Sequence, residues 1–327
     1  MRTFRLRPSH PALVLLLAAL STACNIVSSP PSVDSPLYVA NSGSASIAIY
    51  APFTNGNQAP SRTISGGNTM LASPSGVTLN AAGELFVANS SAKSITVYAL
   101  GATGNAAPIR TISGAFTLLD NPQGIALDAA GNLYVANAGA ITSSITVYGP
   151  GAMNNAAPIN TISGASTGLD HPQGVILNAT GNIYVANASM TTNSITVYAP
   201  GATGNTAPTS TISGASTGLA NPIGVGLDTA GNLYVANAGT ATSSITVYAP
   251  AASGNVPPSN TITGTSTGLA SPQGVVLDPT GRLYVANKTT LSITVYTPGA
   301  TNPVVPIRNI TGGNTALSQP LFIALRP

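Results

Sequence analysis

PQGIALDAAGNLYVANAGAITSSITVYGPGAMNNAAPINTISG, residues 122 to 164, holds four short apolar runs: Gly124 to Asp128, Leu133 to Asn137, Ser144 to Tyr148 and Thr161 to Gly164. Each is too short for a helix and rich in Ile, Val, Tyr and Thr, so each reads as a strand, and together they form an antiparallel meander. Both faces of that meander are largely apolar. One unit therefore cannot bury itself and must stack on copies of itself.

The copies are present. The second-strand motif begins at Leu37, Leu85, Leu133, Ile183, Leu233 and Leu283, with spacings of 48, 48, 50, 50 and 50 residues. Third strands end at Tyr50, Tyr98, Tyr148, Tyr198, Tyr248 and Tyr296, and fourth strands begin at Thr63, Thr111, Thr161, Thr211, Thr261 and, in degraded form, Asn309. First strands follow Pro74, Pro122, Pro172, Pro222, Pro272 and Pro320. The chain enters on a second strand and leaves on a first strand, Leu321 to Arg326. The expected fold is an all-β, six-bladed β-propeller of four-stranded antiparallel blades, the last blade closed by both termini.

Turn chemistry agrees with this register. Asp128-Ala-Ala-Gly131, Asp228-Thr-Ala-Gly231 and Asp278-Pro-Thr-Gly281 place an acceptor and a glycine where tight hairpins need them, so these aspartates read as turn formers. The third-to-fourth connections, such as Ala199 to Pro208, are rich in Pro, Gly and Asn and read as surface loops. Glycine at the second position after the proline (Gly76, Gly124, Gly174, Gly224, Gly274) fits backbones crowded at an axis. Phe322 takes that place in the sixth copy, where its ring either narrows the channel or wedges against a neighbour.

From Leu37 to the C-terminus the repeat resembles the NHL-type six-bladed propeller family, whose pattern is P-x-G-I/V-A-V-D-x-x-G-N-I/L-Y-V-A-D followed by a second hairpin. Here the second strand ends in Asn, and the basic residue common in the following hairpin is missing, as are the basic residues that some members use to bind RNA. Other members are copper- or zinc-dependent lyases or calcium-dependent lactonases. Their histidines and acidic ring have no matching positions in this sequence.

The first residues read as an address. Arg2, Arg5 and Arg7 precede an apolar core, Ala12 to Leu20, of secretory rather than membrane-spanning length. Ser21-Thr-Ala-Cys24 resembles a bacterial lipoprotein signal. The lone cysteine fits an acylated anchor better than a disulfide framework. The expected organisation is a signal peptide over 1–23, a lipid-anchored tether over 24–35 and the propeller over 36–327, in an exported protein of the cell envelope, at the outer membrane or cell surface. Charged residues make up 5% of the chain against a usual figure of about 25%. The net charge of +3 lies in those three leader arginines. A neutral body lacks the clustered cations that phosphate neutralisation needs, which excludes nucleic acid as a partner, and contact with a membrane is through the lipid anchor only.

Chemistry-bearing groups are scarce. Past the leader stand one histidine, His171, and one glutamate, Glu84, too few for a zinc site of the usual kind, so neither metal nor cofactor is expected. A triad through Asp170 and His171 is disfavoured because sequence neighbours seldom face one another. The tyrosines sit in second or third strands and read as blade packing. The asparagines ending the second strands, Asn41 to Asn287, read as ties to their own following hairpins rather than as a polar ring. The preferred binding candidates surround the first-strand prolines, where polar groups should converge at the channel mouth: Asn121, Gln123, Asp170, His171, Gln173 and Gln273, with Ser73, Ser75, Asn221, Ser271 and Gln319. Arg62, Arg110 and Arg308 share one repeat position, held by Asn160, Ser210 and Asn260 in the other blades, and are surface-interaction candidates facing an anionic envelope surface. The sequence thus points to an envelope-anchored, non-catalytic module binding a small polar ligand or an envelope protein. The alternative is a metal-assisted lactonase or lyase.

Overall fold

A computed structural model describes residues 35–139, 142–189, 192–239 and 243–326. The leader, Cys24 and all of the tether except Ser35 lie outside the described residues. Six four-stranded antiparallel sheets form a ring in which each innermost strand neighbours the next. Blade 2 runs outward as Pro74–Leu79, Leu85–Asn89, Ser94–Tyr98 and Arg110–Ser113. Blades 3 to 6 repeat it, their inner strands starting at Pro122, Pro172, Pro222 and Pro272. Blade 1 takes its inner strand, Pro320–Leu325, from the C-terminal end and pairs it with Leu37–Asn41, Leu325 opposite Leu37 and Ile323 opposite Val39. The ring closes as the repeat order requires.

Inner strands begin at the proline itself, two residues before the apolar run. Pro122 pairs with Asn137 and Ile125 with Val135, so a bulge lies between them. A first-strand proline costs the ladder no donor. The glycine inside the bulge then lets neighbouring inner strands approach: a Cβ at Gly124 would lie 2.6 Å from Gln173 O, and one at Gly274 2.7 Å from Phe322 Cα. Phe322 packs against the apolar cluster of the seam between blades 1 and 2, which holds Val77, Leu79 and Leu85, so its ring is a wedge between blades.

Alternation along each strand explains the core. In blade 1, Leu37 and Val39 pack toward blade 6 while Tyr38 and Ala40 pack toward blade 2. Side chains of period two thus serve opposite faces of one sheet, and six separate apolar clusters fill the six seams. Each fully buried Ile or Val contributes roughly 1.5–3 kcal/mol, and most of that gain exists only when a neighbouring blade is in place.

Buried polar side chains fasten this stack. Tyr50, Tyr98, Tyr148, Tyr198, Tyr248 and Tyr296 are fully buried. Their hydroxyls donate to the carbonyls of Thr315, Thr69, Thr117, Thr167, Thr217 and Thr267, in the turn that leads into each blade. Burial pushes the Tyr98, Tyr148, Tyr198 and Tyr296 hydroxyls up to about 12, and Tyr50 and Tyr248 move in the same direction. The second-strand asparagines are buried and refine the sequence reading: each ties the third strand of its own hairpin through side chains rather than backbone, and also reaches back to the segment ahead of the first strand. Asn237 Nδ2 donates to Thr246 Oγ1 of the third strand (3.0 Å), while its Oδ1 accepts from Ala220 N, ahead of the first strand (3.1 Å). Asn89, Asn137, Asn187 and Asn287 make the same bonds. Asn237 Nδ2 also donates to Val235 O (3.3 Å), a bond that a carboxylate could not make.

The third-to-fourth connections are more than surface loops. Five of them cross to the outer strand of the preceding blade and pair with it in parallel: Gly104 with Ile64, Asn154 with Ile112, Gly204 with Ile162, Gly254 with Ile212, and Gly56 with Ile310 across the closure. These straps cover the edge strands. The asparagine after the bridging residue then caps the next turn, as where Asn105 Oδ1 accepts from Asn68 N (2.8 Å). In blade 6 the corresponding residues are Asn302 and Pro303, and that strap forms no bridge with Ile262. The seam between blades 5 and 6 replaces the backbone bridge by a side-chain bond, Thr263 N donating to Asn302 Oδ1 (3.1 Å).

Candidate functional site

The antiparallel order gives the ring two faces. The mouth face carries the residues before the first-strand prolines and the second-to-third loops. The opposite face carries the Asp-x-x-Gly hairpins and the starts of the fourth strands. On the mouth face, Ser73, Asn121, His171, Asn221, Ser271 and Gln319 all have φ of 48° to 51°, a left-handed conformation that non-glycine residues seldom adopt. The cause is shared: each carbonyl accepts from the residue after the second-strand asparagine, as with Ala138 N to Asn121 O (3.1 Å) and Ala188 N to His171 O (3.3 Å). Because all six blades share it, this strain belongs to the fold.

The candidate polar groups do not converge on the axis. Gln123 Nε2 donates to Asn121 Oδ1 (2.8 Å), Gln173 Nε2 to His171 O (3.3 Å) and Gln273 Nε2 to Ser271 Oγ (3.2 Å), so each turns back on its own blade. Among the described residues Ser75 alone of this group crosses blades by a side chain. Its buried hydroxyl donates to Pro122 O (2.8 Å), a structural tie.

Asp170 and His171 do face one another. His171 Nδ1 lies 2.7 Å from Asp170 Oδ1, because the left-handed turn at His171 brings the ring back over its neighbour. Hydrogen bonds from Ser189 and His171 hold the Asp170 carboxyl below the usual carboxylate range. The pair borders a cleft of about 540 Å³ between blades 3 and 4, lined also by Thr142, Ser143, Ser163 and Leu169. Both side chains are nearly half exposed. Among the described residues His171 Nε2 has no protein partner, so the cleft presents an oriented imidazole beside hydroxyls. The sequence spacing alone pointed away from this arrangement.

The three arginines lie on the opposite face and are engaged by the fold. Arg110 pairs with Glu84 (2.7 Å) and lies over the Phe86 ring. Arg62 approaches Tyr38 Oη and Ala102 O at 3.5 Å. Arg308 donates to Tyr284 Oη (2.9 Å) and lies over Phe53. Their repeat position is a strap anchor: Asn160 donates to Ala202 O (2.9 Å) and Asn260 to Ala300 O (2.7 Å) from the same place. Lys93–Asp120 and Arg282–Asp278 are further ion pairs. Arg62, Arg308 and Arg326 keep no carboxylate partner among the described residues. They stand on the face where the chain enters the ring, since Ser35, Leu37, Phe53 and Arg308 border one small recess. No group of three or more His, Cys, Asp or Glu side chains comes together among the described residues.

No protein-family model matches the chain, and no curated protein matches it. Solved structures do. A chain of the nidogen/laminin complex is 16% identical, with 90% of this chain and 98% of that one covered and a TM-score of 0.63. A protein of unknown function from Bacteroides caccae is 14% identical over 89% and 98% of the two chains, with a TM-score of 0.64. The periplasmic gluconolactonase PpgL of Pseudomonas aeruginosa is 16% identical over 89% and 99%, with a TM-score of 0.58. The likeness is one of fold. The chain is a six-bladed β-propeller whose fold neighbours include binding-type and enzyme-type proteins.

Proposed function

We propose that this protein is an exported propeller lipoprotein of the NHL-repeat kind, anchored through Cys24, that binds an envelope protein or small polar ligand at its mouth face without catalysing a reaction. The observation that carries the reading is the Asp170–His171 cleft. Most charged and amide side chains are spent on ion pairs, caps and inter-strand ties, whereas this pair is oriented, half exposed and set beside hydroxyls. An orientation follows from the chain's entry point. The tether reaches the ring at Ser35 on the opposite face, beside Arg62, Arg308 and Arg326. That face also exposes Phe53, Leu100, Ile109 and Ile159. Cations and apolar side chains together suit apposition to an anionic membrane, which leaves the mouth face pointing outward. A lactonase or lyase reading requires several carboxylate or histidine groups aimed at one point, and the arrangement of these side chains gives it no support.

The test is site-specific photocross-linking of the full chain in a bacterial envelope. A cross-linker at Thr142 on the mouth face should capture a discrete partner, and one at Asn132 on the opposite face should not. Combining the Thr142 probe with Asp170→Asn and His171→Gln should abolish the capture. Capture that is equal at both positions, or unaffected by the double substitution, refutes the proposal.

A further inference from the structure

The strap-anchor position has a second consequence at the seam between blades 4 and 5. On the opposite face, each seam is bordered by a second-strand aromatic, the strap anchor and the residue of the next strap that sits in the left-handed region. At the seam between blades 6 and 1 these are Tyr284, Arg308 and Phe53 (φ 62°). They fill the space, leaving about 10 Å³. At the seam between blades 4 and 5 they are Tyr184, Ser210 and Ala251 (φ 60°). Ser210 is the smallest residue found at its repeat position, and Ala251 stands where Phe53 does. A cleft of about 540 Å³ remains, within the range of small-molecule sites.

Its chemistry is specific in two respects. No charged side chain lines it: the floor is Val197, Ile212, Leu227 and Leu233, and the rim is Asn178, Asn182, Tyr184, Thr209 and Ser253. Tyr184 Oη is also without a protein partner among the described residues. The corresponding Tyr134 and Tyr284 hydroxyls lie 3.5 Å from Asp128 and Asp278, but blade 4 has Asn178 at that turn, with its oxygen committed to Thr180 and Asn182. We propose that this seam is a binding cleft for an uncharged, ring-sized molecule, apolar on one face and bearing a hydroxyl or carbonyl that meets Tyr184. The site is separate from the mouth face, and nothing in this inference depends on the partner proposed there.

The experiment titrates the full chain with 2-naphthol, an uncharged ring carrying one hydroxyl, and reads the probe's fluorescence. Binding should saturate and stay constant as salt is raised, because no ionic pair contributes. The Ser210→Arg/Ala251→Phe variant installs the filling found between blades 6 and 1, a combination this fold already accommodates, and should weaken binding by about tenfold or more. Tyr184→Phe removes only the hydroxyl and should weaken it by a smaller factor with an unchanged melting temperature. The proposal is overturned if 2-naphthol does not bind saturably, if binding falls steeply with salt, or if both variants bind as the parent does.

Discussion

Replacing Asn237 by Ala tests whether the second-strand asparagines are fasteners. The side chain is fully buried and holds Thr246 Oγ1 at 3.0 Å, Val235 O at 3.3 Å and Ala220 N at 3.1 Å. Truncation leaves the Ala220 amide without a partner, which costs about 1–3 kcal/mol, and opens a small void worth about 1 kcal/mol more. A loss of 2–4 kcal/mol in a domain of this size lowers the melting temperature by roughly 5–10 °C. Asn41 provides a graded comparison. Its third-strand partner position is Ala48, so Nδ2 reaches only Ser46 Oγ at 3.5 Å, while Oδ1 still accepts from Ser318 N at 3.1 Å. Asn41→Ala should therefore cost less than Asn237→Ala, and Gln173→Ala, with one long bond on the surface, should cost least. Thermal melts followed by circular dichroism give the order directly. If Asn237→Ala melts with the Gln173→Ala control, the asparagines are not fasteners and return as candidates for a binding ring.

Three further outcomes are expected. Removing residues 320–327 takes the inner strand from blade 1 and should lower the melting temperature of the whole ring in one transition, rather than fray one blade. The third-strand tyrosines hold their protons in the folded state above the ordinary value of about 10, so their contribution is present below that pH and lost as pH rises toward 12. Stability measured by denaturant midpoint should be flat up to about pH 10 and fall above it, with tyrosinate absorbance rising as the protein unfolds. Replacing Asn302-Pro303 by Gly-Asn should exchange the Thr263 N–Asn302 Oδ1 bond for the two backbone bonds of a strap bridge between blades 5 and 6 and stabilise the protein by about 0.5–1.5 kcal/mol, as expected for one net added hydrogen bond.

The ring, its blade count and its closure were legible because they rest on strand period, turn residues and a register that Pro, Gly and Tyr repeat six times. Roles that depend on partners in another blade were not. Asn237 looked like the start of a hairpin tie, yet its decisive partner, Ala220 N, precedes the first strand by a turn whose path the sequence does not reveal. From the sequence the straps read as loops because their pairing partner lies in the preceding blade, although the recurring Gly-Asn pairs at 56–57, 104–105, 204–205 and 254–255 are the available signal. Arg62, Arg110 and Arg308 share one repeat position in the sequence, but its use as a strap anchor depends on the seam, which places Ala102, Ala202 and Ala300 opposite that position. The Asp170–His171 bond depends on the left-handed turn at His171, a conformation imposed by the bond from Ala188 N.

The most direct test of the account is hydrogen exchange of the membrane-tethered full chain, with and without the partner captured through Thr142. The account predicts slowed exchange on the mouth face of blades 3 and 4, at residues 163–165 and 169–171, with the hairpins at 128–131 and 228–231 unchanged. Protection confined to those hairpins, or no difference on the mouth face, would contradict it.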